Sequence, residues 1–373
     1  MLLMASSGLG VSQMALQHRD SAVWKFLGRE FDHAVWTGCT LWDLIQPSFM
    51  FMVGVALPWS IANRKARGQS FGTMLGHAMW RAALLVLLAV FLTSAWSPRT
   101  EWVFPNVLAQ IGLGYPFLFV LCWTKPRTQW VAALGILAGY WLAFALHPLP
   151  QASFDWSSVG LNDDWNKLSG FEAHWEKNAN FAATIDLWLL NLFPREAPFT
   201  YNQGGYQTLN FVPSLATMIF GMLAGRLLQG RLPIPEKMLR LYLAGTTGIV
   251  LGLATDWAGL CPIVKRIWTP SWALFSGGCV ALILATFVAA IEWRGWRRWA
   301  FPLVVAGLNP IALYCLWQLT GGFIRESLKT HFGQGIFESL GATWAPMLER
   351  ASGLLIFWLL LLWMYRRRIF LRI

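Results

Sequence analysis

Residues 44–67 read LIQPSFMFMVGVALPWSIANRKAR, a largely apolar run over 44–63 that ends abruptly in Arg64, Lys65 and Arg67. A bilayer core takes about 20 mostly apolar helical residues, so this stretch has the length of one crossing, with basic residues at one end. Similar runs recur near 75–95, 105–123, 129–146, 210–229, 239–256, 272–291, 301–319 and 351–365. Composition agrees: across 373 residues 56% are hydrophobic and only 13% charged, and the mean hydropathy is +0.47, whereas a soluble domain carries about 25% charged residues. The chain is expected to be an all-α polytopic membrane protein. Its first residues, MLLMASSGLGVSQMAL over 1–16, lack the basic leader of a signal peptide. They read as the back half of a truncated first helix, which brings the expected bundle to about ten.

Lys and Arg accumulate on the cytoplasmic side of short loops. Here they follow alternate runs: Arg64, Lys65 and Arg67, then Lys125 and Arg127, then Arg231, Lys237 and Arg240, then Arg294, Arg297 and Arg298, and finally Arg366, Arg367, Arg368 and Arg372. This alternation predicts a multi-pass protein of the cell inner (cytoplasmic) membrane, surrounded by membrane lipids, with both termini cytoplasmic. The formal charge of +11 is then mostly a topology signal. Nucleic-acid binding is excluded as a class, because the basic residues are scattered over inner loops and form no aromatic-interleaved face.

The intervening loops fall outside the cytoplasm, and the longest spans 147–209. Its charge is acidic, with Asp155, Asp163, Asp164, Glu172, Glu176, Asp186 and Glu196 against Lys167, Lys177 and Arg195. Aromatics throughout it predict one or two interfacial helices on the membrane surface. The 5 cysteines stand singly, with no CxxC pair and no histidine cluster, so no metal site is expected. Gly221 and Gly225 form a GxxxG in an apolar helix. That motif fits close packing within the bundle, with a homodimer as its other use.

Chemistry concentrates just before the first quoted run, in FDHAVWTGCTLWDLIQP over 31–47. By the charge pattern this segment lies outside, at the start of a membrane helix. His33 can take a proton near neutral pH, and a carboxylate such as Asp43 can hold its ring and stabilise the cation. Thr40 and Pro47 fit a helix start, which places Asp43 in its first turn facing the bundle. An ionisable group at such depth is a functional candidate. Read as residues alone, His33 as a hydrated loop residue and Asp43 as a helix cap stand equally beside the catalytic reading.

The segment has the form H-x-x-W-x-G-x-T-x-x-D-L-I-x-P, from His33 through Trp36, Gly38, Thr40, Asp43, Leu44 and Ile45 to Pro47, followed by Phe51, Gly54 and Arg64. It resembles the signature of the heparan-alpha-glucosaminide N-acetyltransferase family and its bacterial relatives. Further matches run along the chain: Gly72 to Arg81, Val107-Leu108 with Ile111-Gly112 and Tyr115, Gly221 with Gly225-Arg226, and Gly307-Leu308-Asn309 with Tyr314. The resemblance is nearly full-length. It implies one transmembrane acyltransferase-like domain over 1–373 that moves an acetyl group from cytoplasmic acetyl-CoA to an amino sugar or glycan on the other side.

On this resemblance His33 is the catalytic base or acyl carrier and Asp43 its partner, with Trp36 and Thr40 beside the acceptor. Acetyl-CoA would keep its phosphates near inner basic residues, for which Arg64, Arg67 and Arg81 are the candidates. Asn309, which precedes Pro310, would bond the pantetheine arm or satisfy the backbone of a broken helix. Ala109-Gln110 stand where the family has Gln-Arg, and the family's stretch before the first helix and its large lumenal domain have no counterpart. A bacterial surface glycan or free amino sugar is the expected acceptor. The alternative is a proton-coupled transporter or flippase of a glycan precursor with His33 and Asp43 as its relay. The chain shows no repeated halves of the kind many transporters carry.

Overall fold

A computed structural model describes residues 2–333 and 335–371, so Arg372 of the expected basic tail lies outside the described residues. Every regular element among the described residues is helical. In chain order the α-helices are α1 Leu2–Ala5, α2 Val11–Gln17, α3 Ala22–Glu30, α4 Ile45–Ala66, α5 Phe71–Ser94, α6 Val107–Leu121, α7 Pro126–Ala145, α8 Phe181–Leu190, α9 Phe211–Gln229, α10 Ile234–Trp257, α11 Pro270–Val288, α12 Phe301–Gly307, α13 Pro310–Phe332 and α14 Ala345–Arg366. Among the described residues 7 helical stretches are long and apolar enough to cross a membrane, or up to 8 if the bent pair Arg298–Gly307 and Pro310–Phe332 is one span.

Seven of the nine runs read from the sequence coincide with these spans, and the other two differ for local reasons. The 105–123 run yields only the 15 residues of α6. Asn106 accepts the Ala109 amide at 3.0 Å and starts the helix, so Pro105 and Asn106 belong to its cap. The 301–319 run is broken by a 67° bend between α12 and α13. Pro310 opens α13, and the residue before a proline is steered away from helical angles; Asn309 sits at φ −132°, ψ 53°.

Packing divides the chain into two compact units. The larger comprises Val35–Cys39 and Gln46–Trp293. Within it α4 and α9 meet backbone to backbone. A Cβ on Gly221 would overlap the Phe51 carbonyl oxygen, and one on Gly54 would overlap the Met218 carbonyl oxygen. The GxxxG motif is therefore used inside the bundle, as close crossings of membrane helices require. Phe51, Val55, Ala224, Leu241, Val280 and Ala281 form a buried core around this seam. A second core gathers Trp36, Tyr140, Phe144, Trp175, Ala182 and Ile267 under the 147–209 segment. There α8 and the 3₁₀ turns Trp156–Val159 and Gly170–Trp175 supply the helical structure. Glu176, 1% exposed, stitches that segment together, accepting the Trp165 indole at 3.0 Å and the Lys177 amide at 2.7 Å on Oε1 and the Leu168 amide at 2.5 Å on Oε2.

The second unit comprises Met1–Ala34, Thr40–Ile45 and Arg294–Ile373. Its core is built from Ala5, Val305, Ala306, Leu313, Phe357 and Leu361. Residues 2–17 form three short pieces. Between α1 and α2 a 3₁₀ turn, Ser7–Gly10, places Ser7, Gly8, Leu9 and Gly10 at positive φ. Gly10 is required there for a second reason, since an added Cβ would lie 2.9 Å from the Pro346 carbonyl oxygen.

Candidate functional site

The segment that connects α3 to α4 carries His33 and Asp43. Helix α3 ends at Glu30, whose carboxylate takes the Leu41 amide at 2.9 Å. Ser12 donates to the Phe31 carbonyl at 3.2 Å. The chain then turns at Gly38, whose φ of +96° suits glycine. It re-enters helix through the 3₁₀ turn Trp42–Leu44. Asp43 thus lies in the turn before α4 rather than in its first α-helical turn, and Pro47 occupies the start of α4, where a missing N–H costs little.

Asp43 is 1% exposed and organises this loop. Its Oδ2 accepts the Ala34 amide at 3.1 Å and the Thr40 amide at 3.3 Å. The Thr40 hydroxyl lies 3.0 Å from the same oxygen and 2.6 Å from the Asp32 carbonyl, sharing its one proton between two acceptors. Oδ1 faces His33 Nδ1 at 2.6 Å. These donors precede Asp43 in the chain, so the carboxylate is a loop organiser as well as a partner for the histidine. The His33 side chain is 35% exposed. A carboxylate against Nδ1 fixes the tautomer with the proton on Nδ1, leaving Nε2 as the basic nitrogen. Trp42 packs edge-on beside the imidazole, ring centroids 6.4 Å apart. Such a pair can remove a proton through Nε2 or form a bond to carbon there, with Asp43 stabilising the cation.

The other residues expected at the site are placed variously. Thr40 joins His33 and Asp43. Trp36 belongs to the larger unit, where it is 6% exposed and its indole donates to the Trp175 carbonyl at 3.2 Å. Arg64 donates to Gln69 at 3.3 Å near the end of α4, and Arg67 is exposed one residue beyond that helix. Arg81 lies over the Tyr115 ring, 4.9 Å from its centroid, and its buried Nε has no hydrogen-bond partner. Asn309 uses its side-chain amide on the chain end, donating to the Ile369 carbonyl at 3.0 Å and accepting the Leu371 amide at 2.9 Å.

Two polar features escape a reading of the sequence. Gln110 is fully buried and accepts from Gln46 at 2.9 Å. Asp186, counted above as one of many loop acids, is 1% exposed. The signal for it was its position inside the otherwise apolar FAATIDLWLL of α8. Burial raises its carboxyl to about 6, with Thr208 and Arg195 offsetting only part of the effect. The folded state therefore holds this proton more tightly than the unfolded chain does. Stability contributed by the protonated acid is full below about pH 4 and is lost as pH rises through about 6, at a cost of about 3 kcal/mol at neutral pH. Asp186→Asn is expected to raise the thermal midpoint at pH 8 and to leave it nearly unchanged at pH 4, as measured by thermal unfolding of the detergent-solubilised protein.

The chain is 24% identical over 359 residues to the heparan-alpha-glucosaminide N-acetyltransferase of Homo sapiens, covering 82% of this chain and 52% of that protein. The Mus musculus protein of the same name matches at 24% over 359 residues, with 82% and 53% covered. The chain is a distant relative of these acetyltransferases. It spans about half the length of the curated relatives it matches. No family model matches it. The relationship covers most of the present chain.

Proposed function

We propose that this protein is an integral membrane acetyltransferase that moves an acetyl group from cytoplasmic acetyl-CoA to an amino sugar or glycan on the opposite side, with the basic loops and both termini in the cytoplasm. The observation that carries this reading is the 2.6 Å contact between His33 and the buried Asp43, in a chain distantly related to named acetyltransferases. In the direct route the acceptor nitrogen attacks the acetyl carbon. A C–N bond forms and the thioester C–S bond breaks, the amine proton passes to His33 Nε2, and the electron pair leaves on sulfur, which is then protonated. In the carrier route Nε2 attacks the acetyl carbon, the C–S bond breaks and the electron pair leaves on sulfur, which is then protonated; the amine next attacks the same carbon, the C–Nε2 bond breaks, and the amine proton ends on Nε2. Both routes need the same nitrogen and the same Asp43 contact.

Arg64, Arg67 and Arg81 are assigned to the acetyl-CoA phosphates. The unpartnered Nε of Arg81 supports this role, because a buried guanidinium donor without an acceptor is costly unless a ligand supplies one. The test is transfer of labelled acetyl from acetyl-CoA to a panel of amino sugars by the purified protein in nanodiscs. Transfer to at least one amino sugar is the expected result; absence of transfer to every member of a broad panel contradicts the assignment. Asp43→Asn is expected to lower the transfer rate by at least about tenfold. Asn can still accept from Nδ1, but its neutral amide no longer stabilises an imidazolium.

A further inference from the structure

In the larger unit an apolar groove of about 540 Å³ runs between α7, α9, α10 and α11. All four lie in stretches long and apolar enough to cross a membrane. Helix α10 sits backbone to backbone on α11, where a Cβ on Gly248 would come within 2.8 Å of the Leu274 carbonyl oxygen and one on Gly245 within 2.9 Å of that of Gly278. Gly248, Gly277 and Gly278 line the groove without side chains, while Trp130 and Phe220, ring centroids 5.7 Å apart, line it from α7 and α9. Trp130, Leu134 and Leu251 are exposed, so the groove opens to its surroundings, which for a membrane span are lipid.

Arg240 is the one charged side chain among the described residues that line this groove. Helical spacings of three and four put it on the same face of α10 as Ala244, Thr247, Gly248 and Leu251. It stands toward the end where α9 closes at Gln229 and α10 opens at Ile234. Its Nη2 donates to Glu236 at 2.6 Å, but a guanidinium has several further N–H donors, enough to hold a phosphate as well. The neighbouring Lys237 is turned to the Leu228 carbonyl at 2.7 Å. From Arg240 the lining extends along α10 to Leu251, about 16 Å at a rise of about 1.5 Å per residue. One leaflet of a hydrocarbon core about 30 Å thick offers about 15 Å.

We infer that this groove binds an anionic glycerophospholipid, with an acyl chain laid along α10 and the headgroup phosphate on Arg240. An apolar trough one leaflet deep with a single cation at its end complements that molecule part by part. The lipid fills the space beside α10 and stabilises the bundle, because it binds the folded form alone. This site requires the membrane-spanning fold but no acetyl transfer.

Binding is measured by native mass spectrometry of the full-length protein, delipidated in detergent and titrated with phosphatidylglycerol or phosphatidylcholine of equal chain length. Wild type is expected to take up one phosphatidylglycerol about 5- to 10-fold more tightly than phosphatidylcholine. Arg240→Gln is expected to equalise the two lipids, and Arg231→Gln, outside the groove, to keep the preference. Ala244→Phe fills the groove from the same face of α10 and is expected to weaken both lipids by at least about tenfold. Residues 240 and 244 are exposed, so both variants should fold, as read by their thermal midpoints without lipid. Equal binding of the two lipids by wild type overturns the inference. So does a preference kept by Arg240→Gln or lost in Arg231→Gln, or unchanged uptake by Ala244→Phe. A dimer that Ala244→Phe dissolves and phosphatidylglycerol leaves intact also overturns it, assigning the groove to a second copy of the chain.

Discussion

Replacing His33 with alanine is expected to reduce acetyl transfer by about 10²- to 10⁴-fold, the range that a positioned acid–base group contributes. Both chemical routes pass through Nε2, so alanine removes the base and the carrier together. The 2.6 Å contact between Nδ1 and Asp43 is made by the ring alone, and nothing in alanine replaces it. The effect is expected in kcat rather than in the affinity for either substrate, because a group that acts on the proton in flight contributes mainly in the transition state. Fold should be largely kept, since the imidazole is 35% exposed and the Asp43 bonds to the amides of Ala34 and Thr40 remain. Steady-state rates and thermal midpoints measured on the same preparation separate the two effects.

Gly221→Ala is expected to destabilise the protein by more than about 3 kcal/mol, beyond ordinary overpacking. The added methyl meets the Phe51 carbonyl oxygen on α4. That atom is helix backbone and cannot rotate aside as a side chain would. Helices α4 and α9 would have to separate, which also disturbs the reciprocal approach of Gly54 to the Met218 carbonyl. Gly135→Ala is the matched control, because its Cβ would meet nothing within 4 Å. It is expected to be neutral or to stabilise α7 by up to about 1 kcal/mol, the usual helix preference for alanine over glycine. Thermal unfolding monitored by size-exclusion fluorescence reads both variants.

Much of this architecture is legible in hydropathy alone. Long apolar runs bounded by Arg and Lys, such as 44–63 with Arg64, have few ways to exist other than as spanning helices, because the bilayer leaves backbone groups no external partners. Hydropathy is blind to where a helix is interrupted. The runs over 105–123 and 301–319 are apolar enough on average to hide Pro105-Asn106 and Asn309-Pro310, which set the start of α6 and the bend between α12 and α13. Side-chain chemistry made His33 and Asp43 visible, since two ionisable groups ten residues apart at a helix start are unusual in an apolar chain. The contact itself was not legible, because it depends on the fold of the loop, in which the Ala34 and Thr40 amides also bond Asp43. Asp186 was hidden for the opposite reason. It sits among loop acids by sequence and becomes distinctive only in the fold, which buries it and sets the Thr208 amide on its carboxylate. Asn309, equally suited by sequence to a ligand or to a broken backbone, is tied by both ends of its amide to Ile369 and Leu371.

The most direct measurement is chemical rescue: labelled acetyl transfer by wild type, His33→Ala, and His33→Ala with added imidazole, at matched thermal midpoints. The account predicts loss of transfer in the alanine variant and partial recovery with imidazole, because the vacated position beside Asp43 can accept the free base. Transfer by His33→Ala at the wild-type rate would contradict it.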